Sequence, residues 1–256
     1  MRSGRHHGLY VVRMTPLCIF ATLVLMVAGA SATHAQTAAV REGFLSVPGA
    51  RLFYTDAGGT GTPVVMLHAA TGNTNAGLDR VHLVSTAGGG FVAFDFAIAF
   101  PTRLRSLVVA DSIGGVQDRE ILDLETRIRP PQFDDLPPEV RELGPSYRSA
   151  NPDGTRRWLE IEKQSRTSRP TASTLQLAYA TPMRNQLALA LYEQIRTPAL
   201  LLTGGADMTA PPTLMKILAS HISNAEFVVV PNAGHSVYWE EPETFNRTVL
   251  DFMRKH

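Results

Sequence analysis

Five uninterrupted apolar runs limit what this chain can fold into: "PVVMLHA" (63–69), "VHLV" (81–84), "SLVVAD" (106–111), "ALLLTG" (199–204) and "EFVVV" (226–230). A strand with one wet face alternates apolar and polar residues. A run without alternation needs cover on both faces, as in a parallel sheet with helices above and below. Helical patterns separate several of the runs. The last, "PETFNRTVLDFMRKH", puts Phe245, Val249 and Phe252 on one side and Pro242 in the first turn. Upstream, "FLSV" (44–47) and "RLFYTDAG" (51–58) alternate and are joined by "PGA", the pattern of a hairpin. Strands alternating with helices give an α/β fold, mostly parallel, with helices on both faces of the sheet.

Residues 114–197 break the alternation. "VQDREILDLETRI", "PPEVRELG", "GTRRWLEIEKQS" and "TPMRNQLALALYEQI" are helical, and their links are rich in proline and polar residues. A helical insertion between two strands of a parallel sheet is a natural lid over the strand ends; ordinary helical packing is the plainer alternative. The remaining length suits a single domain over 37–256. The charge of +1, from 24 basic and 23 acidic side chains, gives no reason to expect nucleic acid or an anionic membrane as partner.

Residues 1–36 have a different character. Arg2, Arg5 and Arg13 precede the apolar run "LCIFATLVLMVAGA" (17–30), and small residues follow in "SATHAQ". This is the layout of a cleaved export signal, with cuts expected after Ala30, Ala32 or Ala35. The run is shorter than the roughly 20 residues of a membrane span, so a periplasmic or extracellular protein without a stable membrane span is expected; an uncleaved anchor is the alternative. The single cysteine, Cys18, lies in this leader, so the domain has no disulfide. No zinc or iron–sulfur spacing is present, and no metal or cofactor is expected.

Three patterns carry the chemistry: "MLHAATGN" (66–73) at the end of the third strand, the turn at 85–89, and a pair of loops after later strands. "VHLVSTAGGGFVAFDFA" (81–97) is a buried strand, a glycine-bearing turn and an apolar helix. "LLLTGGADMTAPP" places Asp207 after one strand, and "VVVPNAGHSVYWEEP" places His235 after the last. A carboxylate on one imidazole nitrogen fixes the tautomer and leaves the other nitrogen to move protons. Each residue alone also fits a plainer role, Asp207 as a turn or cap and His235 as a loop histidine. In their order and spacing, these motifs from about residue 42 onward resemble the α/β-hydrolase superfamily, in particular its lidded esterases, lactonases and carbon–carbon hydrolases. The resemblance implies a triad acid at Asp207 and a triad base at His235. It places the nucleophile at the apex of the 85–89 turn, where Gly-x-Ser-x-Gly is usual. Here the apex is Ala87, whose methyl group cannot attack a carbonyl; a slipped register would put Ser85 there. The resemblance also implies an oxyanion hole from the backbone amides of Gly88 and Ala70, which survive any change of side chain. Asp111 and Ser112 are lesser candidates, for a polar role under the lid and for ligand contact.

The second departure from the superfamily lies between residues 70 and 80. A helix, a strand and a further helix normally follow the third strand, but "ATGNTNAG" runs directly into "LDRVHLV". A sheet lacking one strand is therefore expected, with a gap, an exposed edge or a forced new pairing between the hairpin and residues 63–69. Three readings of function follow. One is an enzyme acting on a small, fairly apolar carbonyl or ester-type substrate by His–Asp acid–base chemistry without a serine. Another is a non-catalytic ligand-binding relative. The third is a truncated, inactive member. A dinucleotide site at Gly88-x-Gly90 with Asp111 is a weaker competitor, because it accounts for neither "GGAD" nor "NAGHS".

Overall fold

The computed structural model describes residues 8–13, 40–47, 50–67, 79–167 and 187–256. Its strands are β1 (Gly8–Arg13), β2 (Arg41–Val47), β3 (Ala50–Asp56), β4 (Pro63–Leu67), β5 (Val81–Thr86), β6 (Leu104–Ala110), β7 (Ala199–Gly204) and β8 (Ala225–Val230). They form one sheet in the order β2-β3-β1-β4-β5-β6-β7-β8. From β4 to β8 every neighbouring pair is parallel, and β2 and β3 form the antiparallel hairpin.

The lack of alternation in the apolar runs follows from the two cores they divide between. Side chains of a strand point to opposite faces in turn. Leu107 and Val109 of β6 face one core while Val108 and Ala110 face the other. Leu201 and Leu202 of β7 divide in the same way. Helix α1 (Gly89–Ala99) and the helix Pro212–Ser220 close the first core with Phe94 and Leu214. The helix Pro242–Lys255 closes the second with Phe245, Val249, Phe252 and Met253.

Between β6 and β7 the described chain is largely helical: α2 (Arg119–Ile128), α3 (Pro138–Glu142), α4 (Pro145–Ala150) and α5 (Pro152–Thr167). The Asp118 carboxylate caps α2 by accepting from Glu120 N and Ile121 N at 3.0 and 3.2 Å. The expectation of one helix through "TPMRNQLALALYEQI" needs correction over its described part. Leu187 makes a parallel bridge to Val116, with Leu187 N on Gly115 O and Gln117 N on Leu187 O, both at 2.8 Å. That pairing holds the chain extended, and helix is confined to Leu189–Tyr192. The buried Tyr192 ring packs edge-on against Phe94, with ring centroids 4.9 Å apart.

The sheet position next to the hairpin, expected to lack a strand, is held by β1. It pairs parallel with β3 and antiparallel with β4. β1 falls inside the stretch read as an export leader, so removal of that leader and retention of this strand exclude each other. A chain beginning at residue 37 leaves facing ladders of β3 and β4 unpaired. It is expected to melt below the full chain by differential scanning calorimetry; identical transitions would show that β1 adds nothing to stability. No helix among the described residues is long and apolar enough to cross a membrane.

Candidate active site

The turn after β5 has the backbone of a nucleophile elbow. Ala87 has φ 46°, in the left-handed region that costs a non-glycine residue about 1–2 kcal/mol. The turn is held by Ala87 N donating to Ala110 O at 3.0 Å and Gly90 N donating to Ala87 O at 2.9 Å. A side chain at Gly90 would come within 2.3 Å of Ser112 Oγ, so α1 can approach β6 only with glycine there. Gly90 thus serves helix packing rather than a phosphate, which removes the support for the dinucleotide reading. Ser85 does not stand at the apex: it is buried, and its Oγ donates to Val108 O at 3.1 Å. The Gly88 amide opens α1, where N–H groups lack helical acceptors and attract negative charge. Ala70, expected to supply the second amide, lies outside the described residues.

Asp207 and His235 meet. His235 Nδ1 lies 2.9 Å from Asp207 Oδ2, and both side chains are buried. The two loops carrying them are tied together by Gly205 N on Val230 O and Ala206 N on Ala233 O, each at 2.8 Å. Gly204 has to be glycine, since a Cβ would fall 2.1 Å from Gly234 O. Asp207 is a turn cap as well as the imidazole's partner. Its Oδ1 accepts from Thr209 N at 2.7 Å and Ala210 N at 2.9 Å, while Oδ2 faces the ring and also accepts from Thr203 Oγ1 at 3.3 Å. Burial pulls the His235 pKa down, but the Asp207 charge and hydrogen bond, with Asp111 and Glu142 behind them, bring it to about 9. The imidazolium therefore prevails at neutral pH, with Nδ1–H donating to Asp207 and Nε2–H left over.

Ala87, Gly88, Asp111, Ser112 and His235 line one cavity of about 270 Å³ beneath α2. Asp111 is fully buried at φ 53°; its Oδ1 accepts from Gly204 N at 3.3 Å, and its Oδ2 has no hydrogen-bond partner among the described residues. Burial and the Asp207 charge push its pKa well up, against the imidazole and the Gly204 and Val237 amides. Ser112 Oγ accepts from Gly114 N at 3.1 Å.

Two carboxylates went unnoticed in the sequence. Glu142, at the end of α3, places Oε2 4.0 Å from His235 Nε2. Glu240 is buried and accepts from Gly144 N at 2.8 Å and from Gly234 N at 2.9 and 3.0 Å. Its carboxylate thus joins the helical insertion to the histidine loop. The chain around Gly144 touches that loop: a Cβ there would lie 2.4 Å from Asn232 O and 2.9 Å from Gly234 N. Gly144→Ala is therefore expected to cost about 1–3 kcal/mol of stability through overpacking, read as a lower urea midpoint. An unchanged midpoint would mean that this contact is loose. Neither glutamate had a readable signal, since one sits in a polar helical segment and the other beside Glu241.

The Alpha/beta hydrolase family model matches residues 34–248. A 2-hydroxy-6-oxononadienedioate/2-hydroxy-6-oxononatrienedioate hydrolase of Burkholderia vietnamiensis is 26% identical over 199 residues, covering 70% of this chain and 64% of that protein. The equivalent hydrolase of Paraburkholderia xenovorans is 28% identical over 196 residues, 69% of this chain and 63% of that one. The chain thus spans less than two thirds of the length of these curated relatives. A thermophilic esterase structure from Thermogutta terrifontis superposes with a TM-score of 0.53 at 23% identity, covering 81% of each chain. With the family pattern matched across most of its length and the parallel sheet, elbow and loops in place, this chain belongs to the alpha/beta hydrolase family.

Proposed function

We propose that this protein hydrolyses a small, fairly apolar ester or ketone, with His235 as proton donor, Asp207 as its orienting partner, and no acyl-enzyme. The observation that carries the reading is the 2.9 Å contact between Asp207 and His235 beside a cavity that also holds Ala87 and the Gly88 amide. Ala87 offers no atom that can form a covalent intermediate, so water has to attack the carbonyl directly. The oxygen that gains charge is stabilised by the Gly88 N–H and the α1 N-terminus. The imidazolium then protonates the departing group, and the buried Asp207 keeps that ion in place. The related proteins are named as 2-hydroxy-6-oxononadienedioate/2-hydroxy-6-oxononatrienedioate hydrolases, so 6-oxo unsaturated acids are the first class to try here. Export with removal of residues 1–36 is part of the proposal, and the exported form would then lack β1 and its pairing with β3 and β4.

The methyl group at the apex favours one other reading, a ligand-binding relative that retains the cavity. Turnover of short p-nitrophenyl esters, lactones and 6-oxo-dienoic acids by the parent and by His235→Ala separates the two. Hydrolysis lost in the variant supports the enzyme; saturable binding without hydrolysis in either protein supports the binder.

A further inference from the structure

His235 presents its second nitrogen to a carboxylate, and that carboxylate comes from the helical insertion. Resting on the hydrolase reading above, we infer that Glu142 is the general base for the attacking water, taking over the serine's place opposite the imidazole. Glu142 Oε2 stands 4.0 Å from Nε2, the nitrogen that Asp207 leaves free. The Glu142 side chain is 33% exposed and the imidazole 7%, so the carboxylate is open to water and the ring is shielded from it. The charged groups acting on the imidazole are Asp207, Asp111 and Glu142. Asp207 is engaged at Nδ1 and with two backbone amides, and Asp111 Oδ1 accepts from the Gly204 amide at the cavity wall. Glu142 is the member with a free oxygen on the Nε2 side.

Its placement is built rather than incidental. The buried Glu240 carboxylate binds the amide two residues after Glu142 and the amide immediately before His235. Close contact between Gly144 and Gly234 sets the same register, since a Cβ on Gly234 would lie 2.4 Å from Gly144 N. Glu240 is thus a positioning residue that fixes base and acid relative to each other.

The step balances. A water O–H bond breaks, its proton passes to Glu142 Oε2, and the water oxygen bonds to the carbonyl carbon. The carbonyl π pair moves onto its oxygen beside the Gly88 amide. When that pair returns, the bond to the departing atom breaks, and this atom takes the Nε2 proton of His235. Protonated Glu142 then passes its proton to neutral Nε2 across the 4.0 Å gap, directly or through one water, which restores the starting charges. Nothing is oxidised or reduced.

The test uses the full chain and p-nitrophenyl butyrate as probe, with circular dichroism confirming that each variant is folded. Glu142→Gln is expected to lower kcat about a hundredfold, the usual contribution of a positioned base, with KM little changed. Sodium formate should restore part of the rate to Glu142→Ala by supplying the missing carboxylate. Parent-like kcat in Glu142→Gln, or no rescue of Glu142→Ala by formate, with His235→Ala inactive, would overturn the base assignment and leave the hydrolase reading standing. Parent-like rates in both variants, or a folded parent without turnover, would overturn both.

Discussion

Ala87→Ser is expected to raise ester hydrolysis about a hundred- to a thousandfold. The backbone at position 87 already has the strained φ of 46°, and a serine adds one oxygen to a residue whose Cα and amide are fixed. Its Oγ would enter the cavity that His235 lines, with the Gly88 amide next in the chain. In a triad enzyme the oxyanion hole and binding alone leave about 10³–10⁴-fold over water, and the nucleophile supplies the rest. Restoring it in a site not optimised for an acyl-enzyme should recover only part of that. The measurement is kcat/KM on p-nitrophenyl butyrate, with a burst of nitrophenol equal to the enzyme concentration as the mark of a covalent intermediate. A folded variant with parent-like kcat/KM and no burst would show that position 87 does not face the imidazole.

Asp207→Asn should act in the opposite direction, with a loss of up to about 10⁴-fold, the size seen when an asparagine imposes the wrong tautomer on a triad histidine. Two effects combine. Asparagine can turn its NH₂ toward Nδ1 and force the proton to the other nitrogen, and it removes the charge that contributes most to raising the His235 pKa. The parent's alkaline limb is expected near pH 9, and in the variant it should move down toward the ordinary value of 6.5. Stability follows the same sign. A histidine whose pKa rises on folding contributes stability that is complete below 6.5 and is lost as pH climbs through about 9. Asp111, also raised on folding, adds a contribution of the same sign at lower pH. The parent should therefore lose stability between pH 6.5 and 9, and Asp207→Asn should lose much less. Equal urea midpoints for the parent at the two pH values would show that the pair is not ionised as described.

What could be read from the residues divides according to how local the signal is. The apolar runs of β4 to β8 are legible because burial on both faces forbids alternation, a property each strand carries by itself. Asp207 and His235 are legible because each terminates such a run in a glycine-containing loop. Glu142 is not, because its meaning lies in how α3 packs on a loop more than 90 residues away, a span also bridged by Gly144 and Glu240, which are 96 residues apart. β1 escaped for a different reason. "GLYVVR" stands directly before the apolar run at 17–30, and a basic, apolar N-terminus has the same composition whether it is a leader or a strand. Only the vacancy between the hairpin and β4 gives it a place in the sheet.

The account turns on hydrolysis without a bond between protein and substrate. Intact-mass spectrometry of the parent, acid-quenched during turnover of p-nitrophenyl butyrate, reads this directly. The unmodified mass should be found throughout, while Ala87→Ser quenched in the same way should carry a butyryl group. A butyryl adduct on the parent, mapped to any residue of the cavity, would contradict the account.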